Sequence, residues 1–406
     1  MHLIVLCLLS ATLFAQPSGD EELSEAEKAS NRGAKFAASG DFRRAAFAFR
    51  KAIGIDPTFT VAHYNLGLAL LRQEAYEDAV HAFTSAVRLQ PTYADAWFHM
   101  GLARMAQEDF ENAEVVLTNA LRYRPENPAV RYLLGQALWQ LARWQEVVEV
   151  WEALLFDSPG HSSITRVQDG LPRAYYNLGT ARQAAGDVDG AAKAYREALR
   201  LVPDSLPTIN NLGLLLREQG DHEAAMELFE QGLDVDPSNV SMTMGLAISC
   251  AATSHFARSD SLLLGLIDRG QLTHDAHVVL SQNRIASGQI EKGRGHARQA
   301  AKLRPNDVYT LLVLAFAYEH NADGVRYGRG FDETEVVEIY RRALAIDPNA
   351  AAVHYNLGVV HAKSERWEKA RSAFNQAIAL DAKHAGARDG LKEIERITGS
   401  QLIRVR

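Results

Sequence analysis

A chain of 406 residues exceeds the ~250–300 at which one hydrophobic core stops growing, so two or three globular domains or an elongated repeat array is expected. Apolar content of 47% with 23% charged residues excludes a disordered chain. The formal net charge of −7, with both signs interspersed along the chain, argues against nucleic acid as a partner, because phosphate binding wants clustered positive charge.

Leu3 to Phe14 is a mostly apolar run, interrupted by Ser10 and Thr12 and free of Lys, Arg, Asp and Glu. It is shorter than the ~20 residues that span a bilayer, and it suits the apolar centre of a secretory signal over residues 1–15. Cleavage after Ala15 gives a mature chain from Gln16, periplasmic or extracellular, and no later segment is apolar for long enough to cross a membrane. Cys7 leaves with the signal; Cys250, beside Leu246 on an apolar stripe, reads as a small buried hydrophobe. The basic knot of Arg43, Arg44, Arg50 and Lys51 reads as a solvated helix face.

From residue 26 onward one glycine recurs: Gly33, Gly67, Gly101 and Gly135 at intervals of 34, then Gly179 and Gly213 at the same interval, then Gly358. Each sits in one frame. Gly67 is followed by Ala79, Phe83, Ala86 and Pro91, and Gly179 by Ala191, Tyr195, Ala198 and Pro203. Between Gly and Pro lie two apolar stripes of helical period, split by a polar turn such as Ser39-Gly40-Asp41. Small residues at the Gly and first Ala sites let two antiparallel helices approach closely, and Pro ends the second helix.

Ten such units begin near residues 26, 60, 94, 128, 172, 206, 240, 274, 308 and 351. Residues 26–171 hold the first four with a trailing loop, and 172–239 the next two. Units over 240–307 are degenerate, with Ala247 and Ser281 in place of Gly, Ser259 for Ala and Gln271 for Pro. Residues 308–384 hold the last two, and a polar helical stretch at 385–399 reads as a cap. Two insertions break the period: one over Gly160–Leu171, between units, and one over Asn321–Gly330, between the two helices of the ninth. Both read as tolerated surface loops, of a kind that can carry function in such arrays, and deleting Ala322 to Gly330 is expected to leave stability nearly unchanged.

Trp97-x-x-Met100-Gly101 and Tyr175-x-x-Leu178-Gly179, together with the 34-residue frame, resemble the tetratricopeptide repeat. The resemblance implies an all-α, right-handed superhelical solenoid of about ten helix pairs with a C-terminal capping helix. It also implies a non-catalytic scaffold that binds protein or peptide segments in a concave groove lined by the first helix of each pair. Two sites on that helix face away from the second helix. The third residue before the Gly is aromatic at Tyr64, Phe98, Tyr132, Tyr176 and Tyr355. The second is Asn65, His99, Asn177, Asn211 and Asn356, and a row of amides can pair with an extended backbone. The alternative is that the rings pack against neighbouring first helices and that the amides belong to the repeat consensus. Trp151 is expected in the core.

No phosphate loop, nucleophile elbow or His-Glu-x-x-His is present in the sequence, and the repeats fill nearly all of the chain. His274 and His277 stand three apart without a third ligand at metal-site spacing. Catalytic residues, a metal, a cofactor and a small-molecule substrate are therefore not expected. A structural or accessory subunit of an envelope or enzyme complex, using the ends or convex face of the array, is the other reading.

Overall fold

The computed structural model describes residues 23–404, with side chains to residue 398; the signal-like run of 1–15 lies outside the described residues. The chain divides into two compact units, Met1–Pro203 and Asp204–Arg406, each a stack of antiparallel helix pairs. The first unit pairs α1 (Glu25–Ala38) with α2 (Phe42–Ile55), α3 (Thr60–Arg72) with α4 (Tyr76–Leu89), and α5 (Ala94–Ala106) with α6 (Phe110–Tyr123). It continues with α7 (Pro128–Gln140) and α8 (Trp144–Asp157), then α9 (Ile164–Ala184) and α10 (Val188–Leu201). The second unit pairs α11 (Leu206–Glu218) with α12 (His222–Val235), α13 (Val240–Ala252) with α14 (Phe256–Asp268), and α15 (Thr273–Ala286) with α16 (Ile290–Leu303). Then come α17 (Val308–Tyr318) with α18 (Glu333–Ile346), α19 (Ala351–Lys363) with α20 (Trp367–Leu380), and the terminal α21 (Ala385–Arg404). Among the described residues there is no strand, only an isolated bridge between His320 and Arg326.

The polar turns inside the pairs have a chemical cause. Gly40 takes a left-handed φ of 81°, and the next residue, Asp41, caps α2 by accepting from the Arg44 amide at 3.0 Å. Asp109, Asp187 and Asp221 cap α6, α10 and α12 in the same way. The recurrent helical glycine is explained by what lies on it. A Cβ at Gly67 would fall 2.5 Å from Cε1 of Phe83, whose ring is fully buried against its own pair's first helix. The residue sixteen further on repeats this contact from Phe49 on Gly33 to Phe374 on Gly358. The large side chain and the glycine are thus one device: a ring, or Leu117 on Gly101, seated where two backbones cross.

The degenerate stretch keeps its pairs by other means. The Ser259 hydroxyl donates to the Ala247 carbonyl at 2.7 Å, and the Asn283 amide donates to Ser259 at 2.9 Å and to the buried Asp260 carboxylate at 3.0 Å. Arg284 closes the group with an ion pair to Asp260 at 3.0 Å. A buried polar network replaces the small-residue crossing, with Arg284 Nε left without a partner among the described residues. At the C-terminal end, Ala387 and Ile394 of α21 are buried in a cluster with Phe374, so α21 covers the apolar face of the tenth pair.

Both insertions depart from the loops expected of them. Most of the first is helix: α9 starts at Ile164, eight residues before the expected unit boundary, and continues through Pro172. Val167 and Leu171, one turn apart, are buried, and a Cβ at Gly170 would fall 2.7 Å from the Trp151 ring. This apolar stripe offsets the hydrogen bond that Pro172 cannot donate. The second insertion is pinned rather than free. The Glu319 carboxylate, fully buried, accepts from the Tyr340 hydroxyl at 2.6 Å and from the Arg326 guanidinium at 2.7 and 2.9 Å. Asn321 adds an Asx turn, accepting from the amides of Asp323 and Val325 at 3.0 and 2.9 Å. Residues 322–330 therefore carry partners that the core needs, which corrects the expectation of a dispensable loop.

Candidate functional site

The first-helix residues expected to line a groove divide by burial. In the first unit Tyr64 is 5% exposed and Tyr132 2%, while Asn65 and His99 are buried as well. Tyr64 has turned onto the following pair: its ring centre lies 4.8 Å from that of Tyr93 and 5.7 Å from that of His99. The row of four wet rings expected at Tyr64, Phe98, Tyr132 and Tyr176 is thus reduced to Phe98 and Tyr176, both half-buried. The physical reason is that a ring is long enough to reach the next pair, where it buries area instead of meeting water. Phe98 stands edge-on to His99 with centres 4.9 Å apart, and Tyr176 lies 6.0 Å from Tyr195. Asn177 beside it is half-buried. In the second unit Asn211, Tyr355 and Asn356 are half-buried, and Tyr355 rests against His384 with centres 4.7 Å apart.

His99 is a perturbed titratable group of this face. Burial pushes its pKa down to about 4, against a weaker opposing hydrogen bond in which Nδ1 donates to the Asp95 carbonyl at 2.8 Å. Nε2 has no partner among the described residues. The unfolded chain, with an ordinary value of 6.5, takes up this proton first, so the contribution of neutral His99 is complete above that pH and is lost as pH falls toward 4. Urea titrations from pH 7 to 4.5 are expected to show at most about 3 kcal/mol of loss from this residue, reduced in His99→Gln. Parallel pH profiles for parent and variant would contradict the assignment.

Trp151 is core, 2% exposed. Cys250 is buried, and burial raises its thiol pKa. His274 bonds the Thr310 hydroxyl at 2.8 Å, and His277 faces His296 with Nδ1 atoms 3.0 Å apart. No group of three or more His, Cys, Asp or Glu among the described residues is placed to hold a metal ion. Arg43, Arg44, Arg50 and Lys51 are exposed. Sequence reasoning passed over Glu319, whose partners lie seven and twenty-one residues away, and Phe47, which is 74% exposed. Phe47 had a visible signal, since it falls off the Ala45–Phe49–Ala52 stripe of its own helix.

Comparison with known proteins gives the same repeat. Tetratricopeptide-repeat profiles match residues 170–238 and 351–384, and a further TPR-repeat profile matches 335–365. The profile of the cilia and flagella-associated protein 70 middle TPR-like domain matches residues 34–146. Among curated proteins, the chain is 21% identical over 224 residues to the human protein O-mannosyl-transferase TMTC1, covering 55% of this chain and 25% of that one. It is 36% identical over 69 residues to the photosystem I assembly protein Ycf3 of Acaryochloris marina, covering 16% of this chain and 42% of that one. The chain spans less than half the length of the curated relatives it first matches. A solved structure described as YrrB, a TPR protein with an unusual peptide-binding site, is 19% identical, covers 50% of this chain and 99% of its own, and has a TM-score of 0.36. With repeat profiles matching in both units, and the ring-on-glycine crossing present in each, the chain belongs to the tetratricopeptide-repeat family.

Proposed function

We propose that this protein is a non-catalytic scaffold, exported through its N-terminal segment, that binds extended protein segments along the first helices of its pairs. One observation carries the reading: Phe98 and Tyr176 keep part of their rings exposed where the equivalent Tyr64 and Tyr132 are buried. A half-exposed ring held by its neighbours supplies contact area at low entropic cost. Asn177 beside Tyr176 adds an amide that can both donate and accept to a peptide backbone. In the second unit the same role falls to Asn211, Tyr355 and Asn356.

The test pairs affinity with stability. Phe98→Ala and Tyr176→Ala are expected to weaken partner binding by about 1–2 kcal/mol each, with melts that shift little. Unchanged affinity per folded molecule in both variants would overturn the groove reading. N-terminal sequencing of native material is expected to begin at Gln16; Met1 found intact would contradict export.

A second reading, an accessory subunit that uses the opposite face, draws on second-helix residues such as Phe156 on α8 and Val115 on α6, 87% and 53% exposed. Crosslinks from those positions rather than from the first helices would favour it.

A further inference from the structure

The outer face of the first pair differs from an ordinary solvated surface. Ala29, Arg32 and Phe36 on α1 and Arg44, Phe47, Ala48 and Lys51 on α2 enclose a cleft of about 300 Å³. One repeat further on, the residues matching Arg32 and Phe36 are Leu66 and Leu70, both buried, so the same face is closed in the second pair. Among the described residues no helix precedes the first pair, and this face of it carries its own chemistry.

That chemistry has two parts. The apolar part is aromatic: Phe47 is 74% exposed and Phe36 forms the opposite wall. A single exposed ring is ordinary in a monomer, but a ring beside a cleft wide enough for one large side chain is a seat. The polar part is cationic. The Arg44 guanidinium lies 5.9 Å from the centre of the Phe36 ring and 3.4 Å from the Asp41 carboxylate. Arg32 and Lys51 form no ion pair among the described residues, although the chain as a whole carries a formal charge of −7. Arg43 and Arg50 on the same helix add exposed positive charge.

We propose that this cleft docks an acidic segment of a partner protein. An aromatic or large aliphatic side chain of the partner seats between Phe36 and Phe47, and flanking carboxylates meet Arg32, Arg44 and Lys51. Charge complementarity of this kind fixes orientation and speeds encounter, while the seated side chain slows release. The site lies apart from the first-helix residues of the proposed groove, so either assignment can fail without the other.

The probe is a short fluorescein-labelled peptide with one Trp flanked by Glu, followed by anisotropy against the full mature chain. Binding is expected to weaken with salt, about tenfold in Phe47→Ala and about tenfold in Lys51→Glu. Both residues are exposed, so both variants should melt like the parent, and circular dichroism checks this. Three results would overturn the proposal: no binding by the parent, equal affinity in Phe47→Ala, or equal affinity for a peptide with Ala in place of Trp. Vesicles of phosphatidylglycerol form the competing arm. Saturable binding to them that Lys51→Glu abolishes, with the peptide unbound, would assign the face to a membrane surface instead.

Discussion

Trp151→Ala is expected to cost about 3–5 kcal/mol and to unfold the fourth pair and the start of α9 before the rest of the first unit. The ring is 2% exposed and stacks on Trp139 with centres 5.5 Å apart. On one side it lies on Gly135, where a Cβ would fall 2.0 Å from its Nε1; on the other it lies on Gly170, where a Cβ would fall 2.7 Å from Cζ3. Neither glycine has a side chain that can move into the space an alanine leaves, so the cavity term adds to the lost burial. Val167 and Leu171 lose their reason to stay helical on the upstream side of Pro172, and the extension of α9 should fray with them. Phe156→Ala is the control on the same helix: its ring is 87% exposed, and the change should fall within about 0.5 kcal/mol. Thermal melts that place the two variants together would contradict the crossing described for the fourth pair.

The second large effect is expected at Glu319. Its carboxylate is fully buried, and its acceptor sites are taken by Tyr340 at 2.6 Å and Arg326 at 2.7 Å. Glu319→Ala should cost about 3 kcal/mol, the low end for a broken buried pair, because the Arg326 side chain is 46% exposed and can turn to water. Glu319→Gln keeps the shape and an acceptor for Tyr340, loses the charge, and should fall between parent and alanine. Deleting residues 322–330 removes Arg326 and leaves the carboxylate buried with Tyr340 alone, so that variant should be at least as unstable as Glu319→Ala. A deletion variant with the parent's denaturant midpoint would show that the insertion is a free loop.

The fold was legible because its defining pairs are local and periodic. Gly67 and Phe83 stand sixteen apart, Gly179 and Tyr195 likewise, and a period of 34 residues places each pair on the next. The insertions were not legible for the opposite reason. Pro172 reads as a helix boundary, and only the burial of Val167 and Leu171 in the cluster that holds Trp151, with Gly170 against the Trp151 ring, overrides it. Glu319 directly follows α17 and Tyr340 lies on α18, and nothing in a single sequence marks them as partners. The candidate site was legible in position but not in exposure. A tyrosine at the third site before the glycine is identical text at Tyr64 and Tyr176, yet Tyr64 meets Tyr93 and His99 from the next pair and is buried, while Tyr176 stays half-buried. Whether a ring faces ligand or neighbour depends on what the following unit offers it.

The most direct measurement of the scaffold account is site-specific photo-crosslinking in the native host, with the probe residue placed at Phe98, at Tyr176, and at Phe156 on the opposite helix set. The account predicts a discrete protein adduct from Phe98 and Tyr176, mapped by mass spectrometry to an extended segment of the partner, with little yield from Phe156. Adducts from Phe156 alone, with none from the first helices, would contradict it.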